Sequence, residues 1–330
     1  MSLVVRTAEV RFGRRIVPQP LCRSRRGMLA AMRATLIINP FASGVTEEGL
    51  AAVERELRPS VELTVALTKR PQHATELARG VDDADRIYVF GGDGLLNEVL
   101  NGLGEDAVVG ILPGGRTNVM ARALGVPLDP AAAARALISA PLRRISLGRV
   151  NGRRFAFAAG IGFDAELVRR VDQHGRRSDG RRPGDFVFAW ETAKLLTGWH
   201  GRREPVLEIE GFGRAAFALV ANGYPYSYAG RRPVRVASEA RFELGLDFVA
   251  PQRLAPHAIP RFVGYAFRGG ADRAEDVLYA HDLDRIDVRC DRPLPLQADG
   301  EDLGDVETAA FEAERDAVSI LAPDAGTLTA

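Results

Sequence analysis

The sequence predicts an α/β protein whose first half holds a mostly parallel sheet and whose second half is rich in strands. Three observations lead to this prediction. Apolar strand-like runs alternate with helical patterns from residue 34 to about residue 147, which is typical of a parallel sheet with crossover helices. Beyond that point, short apolar runs are separated by Gly, Pro and Asn instead. Two glycine-rich loops also follow neighbouring strands of the first half.

The first half repeats the order of strand, turn and helix. In its first helical segment, Leu50, Val53 and Leu57 share one face, and Thr46 is placed to cap the amino end. The predicted strands cover residues 35–38, 61–67, 86–90 and 108–112, and the predicted helices cover 46–58, 74–80, 95–103 and 119–124.

The second half predicts a β-rich, sandwich-like domain. Its predicted strands cover residues 154–158, 206–210, 215–220, 242–249, 285–288 and 317–321, and its predicted helices cover 164–171 and 185–199. We therefore expect an α/β domain over 34–147 and a β-rich domain over 148–330.

Residues 1–33 differ from the rest, because they hold eight arginines against one acid and show no regular periodicity. Two interpretations stay open. The segment is a disordered basic extension, or translation begins later, at Met28 or Met32. A third hypothesis is that this basic tail contacts anionic lipid.

The composition limits the function. With 330 residues, 46% hydrophobic and 26% charged, the chain is expected to be globular and to fold as two domains. Its net charge of +1 gives no reason to expect nucleic acid as a partner. Cys22 and Cys290 are far apart and predict neither a disulfide framework nor a cysteine metal site, which suits a cytoplasmic protein. No apolar run approaches the length of about 18 residues that a membrane span needs.

The loop Gly91-Gly92-Asp93-Gly94 lies between an apolar strand and a helix. Ligands of open α/β sheets bind at such strand ends, where glycines allow close approach and the helix amino end favours anions. Bare phosphate would repel Asp93, so its carboxylate suggests a bridging Mg²⁺ or an acceptor for a hydroxyl. The alternative is a tight turn whose glycines serve packing alone.

A second glycine loop runs through Gly114, Gly115, Arg116, Thr117 and Asn118 after the next strand. Two such loops on neighbouring strands predict a shared phosphate-binding cleft. No Gly-Lys-Ser/Thr occurs, so the P-loop lysine is absent, and the dinucleotide fingerprint fails where Asn97 replaces its third glycine.

These loops resemble the diacylglycerol kinase catalytic family, which includes bacterial lipid kinases, sphingosine kinases and ceramide kinases. Residues 91–99 (GGDGLLNEV) resemble its nucleotide signature, and 39–44 resemble its first-strand motif. The resemblance implies the following nucleotide-binding residues: Asn39, Pro40, Thr68, Gly91, Gly92, Asp93, Gly94, Asn97, Glu98, Gly114, Gly115, Arg116, Thr117 and Asn118.

The resemblance continues in family order through the second half, over residues 222–226, 230–233 and 245–247. Residues 159–164 are similar to the segment that carries a substrate-contacting aspartate in sphingosine kinases, which implies that Asp164 contacts substrate. Residues 297–301 match a late Asp-Gly-Glu motif. The resemblance thus covers about 34–322 and implies a nucleotide-binding domain followed by a lipid-substrate domain.

The implied activity is ATP-dependent phosphorylation of a lipid hydroxyl, that of diacylglycerol or a related lipid alcohol, with Mg²⁺. We expect Glu301 to be the general base with Asp299 as its partner, and Asp93 and Asp299 to contact the metal. The implied setting is phospholipid metabolism at the inner, cytoplasmic face of the membrane, with transient membrane contact. A homodimer stays open.

Three departures from the family pattern stand near the site. Arg116 and Val119 replace a threonine and an acid of the second glycine loop, and Ser146 stands where an acid is common. They suggest a non-catalytic lipid- or nucleotide-binding member of the same fold as an alternative. A second alternative is an NAD kinase-like phosphotransferase, which shares the Gly-Gly-Asp-Gly loop but against which the ordered later motifs argue.

Overall fold

The computed structural model describes residues 32–82, 85–104, 106–173, 190–192, 194–195 and 204–323. The strands are β1 Arg33–Ile38, β2 Glu62–Leu67, β3 Arg86–Gly91, β4 Val108–Pro113, β5 Leu142–Val150, β6 Arg153–Phe155, β7 Ala158–Ile161, β8 Leu207–Ile209, β9 Gly213–Ala215, β10 Ala218–Ala221, β11 Ser227–Ala229, β12 Arg232–Val234, β13 Leu246–Pro251, β14 Val277–Leu283, β15 Arg285–Ala298 and β16 Glu301–Leu321. The helices are α1 Glu47–Leu57, α2 His73–Arg79, α3 Asp93–Leu100, α4 Val119–Ala123, α5 Pro130–Ile138, α6 Phe163–Gln173 and α7 Ile259–Arg268.

The first half folds as predicted, around a parallel sheet in the order β4, β3, β1, β2. Its central strand β1 is apolar because both of its faces are covered, and Leu36, Ile37 and Ile38 are fully buried. Ile38 pairs with Phe90 and Gly91 pairs with Pro113, so β1, β3 and β4 end side by side. The loops after these three strands therefore meet at one edge of the sheet.

Local signals in the sequence explain the helix boundaries. The Thr46 hydroxyl accepts a hydrogen bond from the Gly49 amide at 3.0 Å, which confirms the predicted cap of α1. Asp129 caps α5 in the same way, through the Ala132 amide at 2.8 Å. The apolar face of α1 then buries Val53 and Leu57.

The second half is β-rich, as predicted, and it continues the same sheet. The end of β16 pairs in parallel with β4, and β15 pairs antiparallel with β16. From there the sheet extends through β7, β10 and β13 to β14. The β15–β16 hairpin thus connects the nucleotide half to the β-rich half.

The sequence prediction gave only the ends of β15 and β16, over 285–288 and 317–321. These strands run for 14 and 21 residues. Their middle parts are rich in charge, and exposed side chains pair across the strands, as Arg285 does with Glu312. A search for apolar runs misses a strand whose exposed face is stabilised by ion pairs.

Other expectations differ from the structure or lie outside the described residues. The strand predicted over 242–249 begins only at Leu246, because residues 242–245 form a turn whose Gly245 amide donates to Asp282 at 2.7 Å. The predicted helix 185–199 lies largely outside the described residues, and so do residues 1–31 of the predicted extension. β5 runs through the predicted domain boundary at 147, so that boundary stays a prediction. No described helix is long and apolar enough to cross a membrane.

Candidate active site

The loops after β1, β3 and β4 are bonded to one another through their backbones. The Gly44 amide donates to the Gly114 carbonyl at 2.9 Å, and the Gly114 amide donates to the Gly91 carbonyl at 2.8 Å. The two glycine loops predicted to share a cleft are therefore in direct contact, and the loop after β1 joins them.

The contact explains two of the glycines sterically. A Cβ on Gly115 would lie 2.4 Å from the Gly92 Cα, and a Cβ on Gly92 would lie 3.1 Å from the Gly115 Cα. Both distances are too short for backbone atoms to tolerate without moving. Close packing therefore accounts for the glycines at 92 and 115 and explains how two loops form one surface, and the predicted phosphate-binding role of the loops stays a prediction.

The amino end of α3 lies on this surface. Its N-cap residue is Gly92, whose lack of a side chain leaves the first turn without a side-chain cap. Uncapped amides and the positive end of the helix dipole attract an anion. A Cβ on Gly94, in that first turn, would lie 3.3 Å from Glu301 Oε1. The late Asp-Gly-Glu motif therefore returns to the first glycine loop, although about 200 residues separate the two in sequence.

Asp93 has a structural partner in the second loop. Its Oδ1 accepts a hydrogen bond from the Met120 amide at 3.3 Å, at the amino end of α4. The N-cap residue of α4, Asn118, makes no capping bond of its own, so Asp93 takes over that role. Burial raises the pKa of the Asp93 carboxyl, and the amides of residues 118–120 oppose that shift. Its predicted catalytic and nucleotide-binding roles stay predictions.

The second glycine loop is closed by Asn118. Its Oδ1 accepts from the Gly115 amide at 2.9 Å, and its Nδ2 donates to the Gly115 carbonyl at 2.8 Å. Asn118 adopts a left-handed conformation with φ of 50°, which this residue type tolerates. Arg116 projects into solvent from the loop, and Thr117 is partly buried beside it.

Asp299 is the centre of a buried polar cluster. Its carboxylate accepts hydrogen bonds from the Asn97 side chain at 2.8 Å and from the amides of Ala156, Phe157 and Ala158 at 2.6, 3.0 and 3.2 Å. Asn97 is fully buried. Asp299 therefore joins α3 to the segment between β6 and β7, and it shapes the turn that presents Glu301.

That turn is a two-residue hairpin connection, because Ala298 pairs with Glu301 across it. Asp299 and Gly300 have φ of 49° and 77°, the left-handed values that such connections require and that Asp-Gly favours. Glu301 follows the turn directly. Its Oε2 accepts from Arg153 Nη2 at 2.5 Å, and Arg153 also donates to Asn97 Oδ1 at 3.1 Å.

Arg153 is a site residue that the sequence analysis missed. It is the first residue of β6, in an arginine-rich stretch with no motif of its own. Its Nε is buried without a hydrogen-bond partner among the described residues. Only the folding of β6 against α3 brings it to Glu301, so no signal in the sequence could have singled it out.

The remaining predicted nucleotide residues surround the same edge of the sheet. The Asn39 amide donates to the Phe90 carbonyl at 3.2 Å, and its side chain accepts from the Phe41 amide across Pro40. Thr68 is buried at the end of β2. Glu98 faces α2 instead, where its carboxylate accepts from the Ala74 amide at 3.2 Å.

The predicted substrate residue Asp164 belongs to a second polar cluster. Its Oδ2 accepts from the Tyr226 hydroxyl at 2.7 Å and from Gln297 Nε2 at 2.5 Å. The Gln297 Oε1 in turn accepts from the Gly300 amide at 2.9 Å. Burial raises the pKa of the Asp164 carboxyl, and Tyr226 and Gln297 oppose that shift. Gln297 therefore connects the predicted substrate residue to the turn that carries Glu301.

Asp93 and Asp299 stay the predicted metal contacts. Both carboxylates already accept hydrogen bonds from protein amides, and Asp299 accepts four. Within the part of the chain that the structure describes, no group of three or more His, Cys, Asp or Glu side chains is placed to hold a metal ion. Their predicted metal role therefore has no support from the arrangement of donors.

We expect Asp299→Asn to destabilise the protein, most strongly at acidic pH. Burial raises the pKa of Asp299 from 3.8 to about 6. Because the folded-state pKa is raised, the proton stabilises the fold below about pH 4, and this contribution is lost as the pH rises through about 6. The difference in unfolding free energy between wild type and Asp299→Asn should shrink by roughly 2 kcal/mol between pH 4.5 and 7. Urea unfolding of both proteins at pH 4.5 and 7 measures this difference. An equal difference at both pH values would mean that Asp299 is charged at both.

Fold and site together define an α/β protein with two joined glycine loops, to which a β-rich half returns one carboxylate. Residues 33–150 match the model of the diacylglycerol kinase catalytic domain. The first half of the chain thus carries a diacylglycerol kinase catalytic domain, as the resemblance of its motifs predicted.

Relatives from several bacteria agree with this assignment. The diacylglycerol kinase of Bacillus subtilis is 36% identical over 144 residues, which are 41% of this chain and 48% of that protein. This chain thus spans about half the length of that relative. A probable YegS-like lipid kinase of Pseudomonas fluorescens is 28% identical over 300 residues, covering 88% of this chain and 96% of that one.

A solved structure shows the same fold. The crystal structure of a diacylglycerol kinase from Bacillus anthracis superposes with a TM-score of 0.67 at 21% identity, covering 89% of this chain and 97% of that one. The mixed architecture, with a parallel first half and a β-rich second half, is therefore shared over nearly the whole length.

Proposed function

We propose that this protein transfers the γ-phosphate of ATP to the hydroxyl of a lipid, diacylglycerol or a related lipid alcohol. One observation carries the proposal: Glu301 Oε1 lies 3.3 Å from the Cβ position of Gly94, in the first turn of α3. A carboxylate that can accept a proton thus stands beside a helix end that attracts phosphate. Phosphoryl transfer to an alcohol requires that combination.

The residues have separate tasks in this proposal. The loops at Gly91–Gly94 and Gly114–Gly115 and the amino end of α3 bind the nucleotide phosphates. Arg153 holds the Glu301 carboxylate in place. Glu301 accepts the hydroxyl proton while the lipid oxygen forms a bond to the γ-phosphorus, and the bond from that phosphorus to the bridging oxygen breaks, which releases ADP. Asp299 positions this carboxylate through its hairpin turn and does not itself react.

Mg²⁺ usually accompanies ATP in such reactions. Asp93 and Asp299 stay the predicted metal contacts, and no role given above depends on the metal. A lipid substrate places the reaction at a membrane surface, and we propose transient, peripheral contact with its cytoplasmic face. No observation argues for nucleic acid as a partner, and the homodimer stays open.

The proposal is tested by incubating the purified full chain with γ-labelled ATP, Mg²⁺ and single acceptors: diacylglycerol, phosphatidylglycerol, sphingosine, ceramide and NAD. Label transferred to a lipid supports the proposal. Label on NAD alone would reject it in favour of an NAD kinase-like phosphotransferase. ATP binding without transfer to any acceptor would instead favour a non-catalytic member of the fold.

A further inference from the structure

We propose that α7 and the neighbouring β11–β12 hairpin form a docking surface for anionic lipid bilayers. The docking surface consists of an exposed apolar stripe on α7 and of the arginines Arg231, Arg232, Arg235 and Arg268. The inference builds on the proposed lipid kinase function, because it names the face that would contact the membrane.

One face of α7 packs against the protein and another is exposed. Ile259, Phe262 and Tyr265 pack against buried clusters below the helix. Val263 and Phe267 keep 41% and 40% of their surface exposed, although both are large and apolar. These two residues are four positions apart and therefore lie on the same side of the helix. A helix with apolar side chains on its outer face is typical of one that lies in a membrane interface.

The arginines of the docking surface have no internal partner. All four are exposed. None of their side chains makes a hydrogen bond or ion pair with another described residue, whereas Arg261 on the same helix pairs with Asp276. Arginines without a carboxylate beside them keep their full charge available to an external anion.

Backbone contacts bring the two parts of the docking surface together. The Arg235 amide donates to the Ala266 carbonyl at 2.6 Å, so the end of the hairpin lies against the last turn of α7. Arg268 follows Ala266 by two residues on that turn. The apolar stripe and the four charges therefore belong to one continuous surface.

The docking surface is also connected to the candidate active site. Arg122 on α4 donates to the carbonyls of Gly230 and Arg231 at 2.9 and 3.3 Å, and its guanidinium lies 3.6 Å from the ring centre of Tyr228. The helix that follows the second glycine loop thus contacts the hairpin directly. A bilayer bound at the hairpin would therefore lie beside the helix that follows the second glycine loop.

Charge and polarity together favour a bilayer over other occupants. Four unpaired arginines would repel the same surface on a second copy of the chain. Nucleic acid would satisfy the arginines but would leave the apolar side chains of α7 exposed to water. An anionic bilayer satisfies both, because its headgroups attract the arginines and its acyl region accepts Val263 and Phe267.

Flotation of the full chain with vesicles tests the docking surface, independently of kinase activity. The vesicles contain phosphatidylglycerol and phosphatidylcholine, or phosphatidylcholine alone. We expect binding to the anionic vesicles only. The double variant Arg232→Gln with Arg235→Gln should weaken binding to the anionic vesicles about 30-fold, since each arginine near an anionic surface contributes to the free energy of binding. Val263→Ser with Phe267→Ser should weaken it about tenfold or more, through lost apolar contact.

Matched controls remove the same kinds of side chain from other exposed positions, outside the docking surface. Arg55→Gln with Arg79→Gln removes two exposed charges from α1 and α2, and Leu128→Ser with Leu142→Ser removes two exposed apolar side chains. Both controls should bind like wild type, and thermal unfolding confirms that every variant is folded. Equal vesicle binding by all variants would overturn the proposal. So would a loss of binding in the controls as large as that in the docking variants, or self-association of the wild type that the α7 variants abolish.

Kinase assays on short-chain lipid dissolved in water separate this proposal from the preceding one. Docking variants should keep wild-type turnover on that substrate, because the catalytic residues are unchanged. If the wild type shows no turnover but the vesicle results hold, the proposed function fails and the docking surface stands.

Discussion

Glu301→Gln should lower the rate of phosphoryl transfer by about 10²- to 10⁴-fold, the usual contribution of a general base. The amide keeps the size and hydrogen-bonding reach of the side chain but cannot accept the hydroxyl proton. Transfer is measured with saturating ATP and lipid. Glu307→Gln is the matched control, because it makes the same change on the same strand at an exposed position without ionic partners.

Measurements of ATP binding and thermal unfolding distinguish a loss of catalysis from a loss of folding in this experiment. We expect Glu301→Gln to bind ATP like wild type and to unfold at a similar temperature, since its carboxylate is only partly buried. Near-normal transfer by Glu301→Gln would remove Glu301 as the base. A loss of transfer that is matched by a loss of ATP affinity would give Glu301 a binding role instead.

Gly115→Ala should abolish nucleotide binding and transfer together. Its Cβ would lie 2.4 Å from the Gly92 Cα, so the two glycine loops would have to separate. Overpacking of this kind usually costs about 1–3 kcal/mol of stability, and here the displaced atoms are the phosphate-binding backbone. Isothermal titration with ATP and thermal unfolding measure the two effects.

Gly80→Ala is the control for that substitution. At Gly80 a Cβ would meet only ordinary contacts, the nearest at 3.5 Å, and φ is −88°, which alanine adopts freely. This variant should bind ATP normally. If Gly115→Ala also binds ATP normally, the contact between the loops is not needed for the nucleotide site.

The first half was predictable because its signals are local. Alternating apolar and helical patterns indicated the strands, and Thr46 indicated where α1 begins. The second half was predictable only as β-rich. The long strands β15 and β16 were missed over most of their length. In β16, charged residues such as Glu312, which pairs with Arg285 at the start of β15, stabilise a face that looks polar in sequence.

The glycine loops illustrate the same limit within the candidate site. Their residue types predicted a phosphate cleft, but packing against each other explains Gly92 and Gly115 as well. Asp93 was expected to contact a metal, which stays a prediction, and its carboxylate accepts a hydrogen bond from the Met120 amide. Sequence alone could not separate these roles, because they depend on which loop lies beside Asp93.

The sequence by itself determined the class of fold, the two glycine loops, and the resemblance of the first half to the diacylglycerol kinase catalytic domain. It could do so because strand and turn signals lie within a few residues of one another. Only the tertiary structure decided that β16 joins the nucleotide half of the sheet, that Glu301 meets α3 beside Gly94, and that Arg153 holds it there. Each of these contacts joins residues far apart in the chain, and their distances are set by strand pairing and not by local sequence.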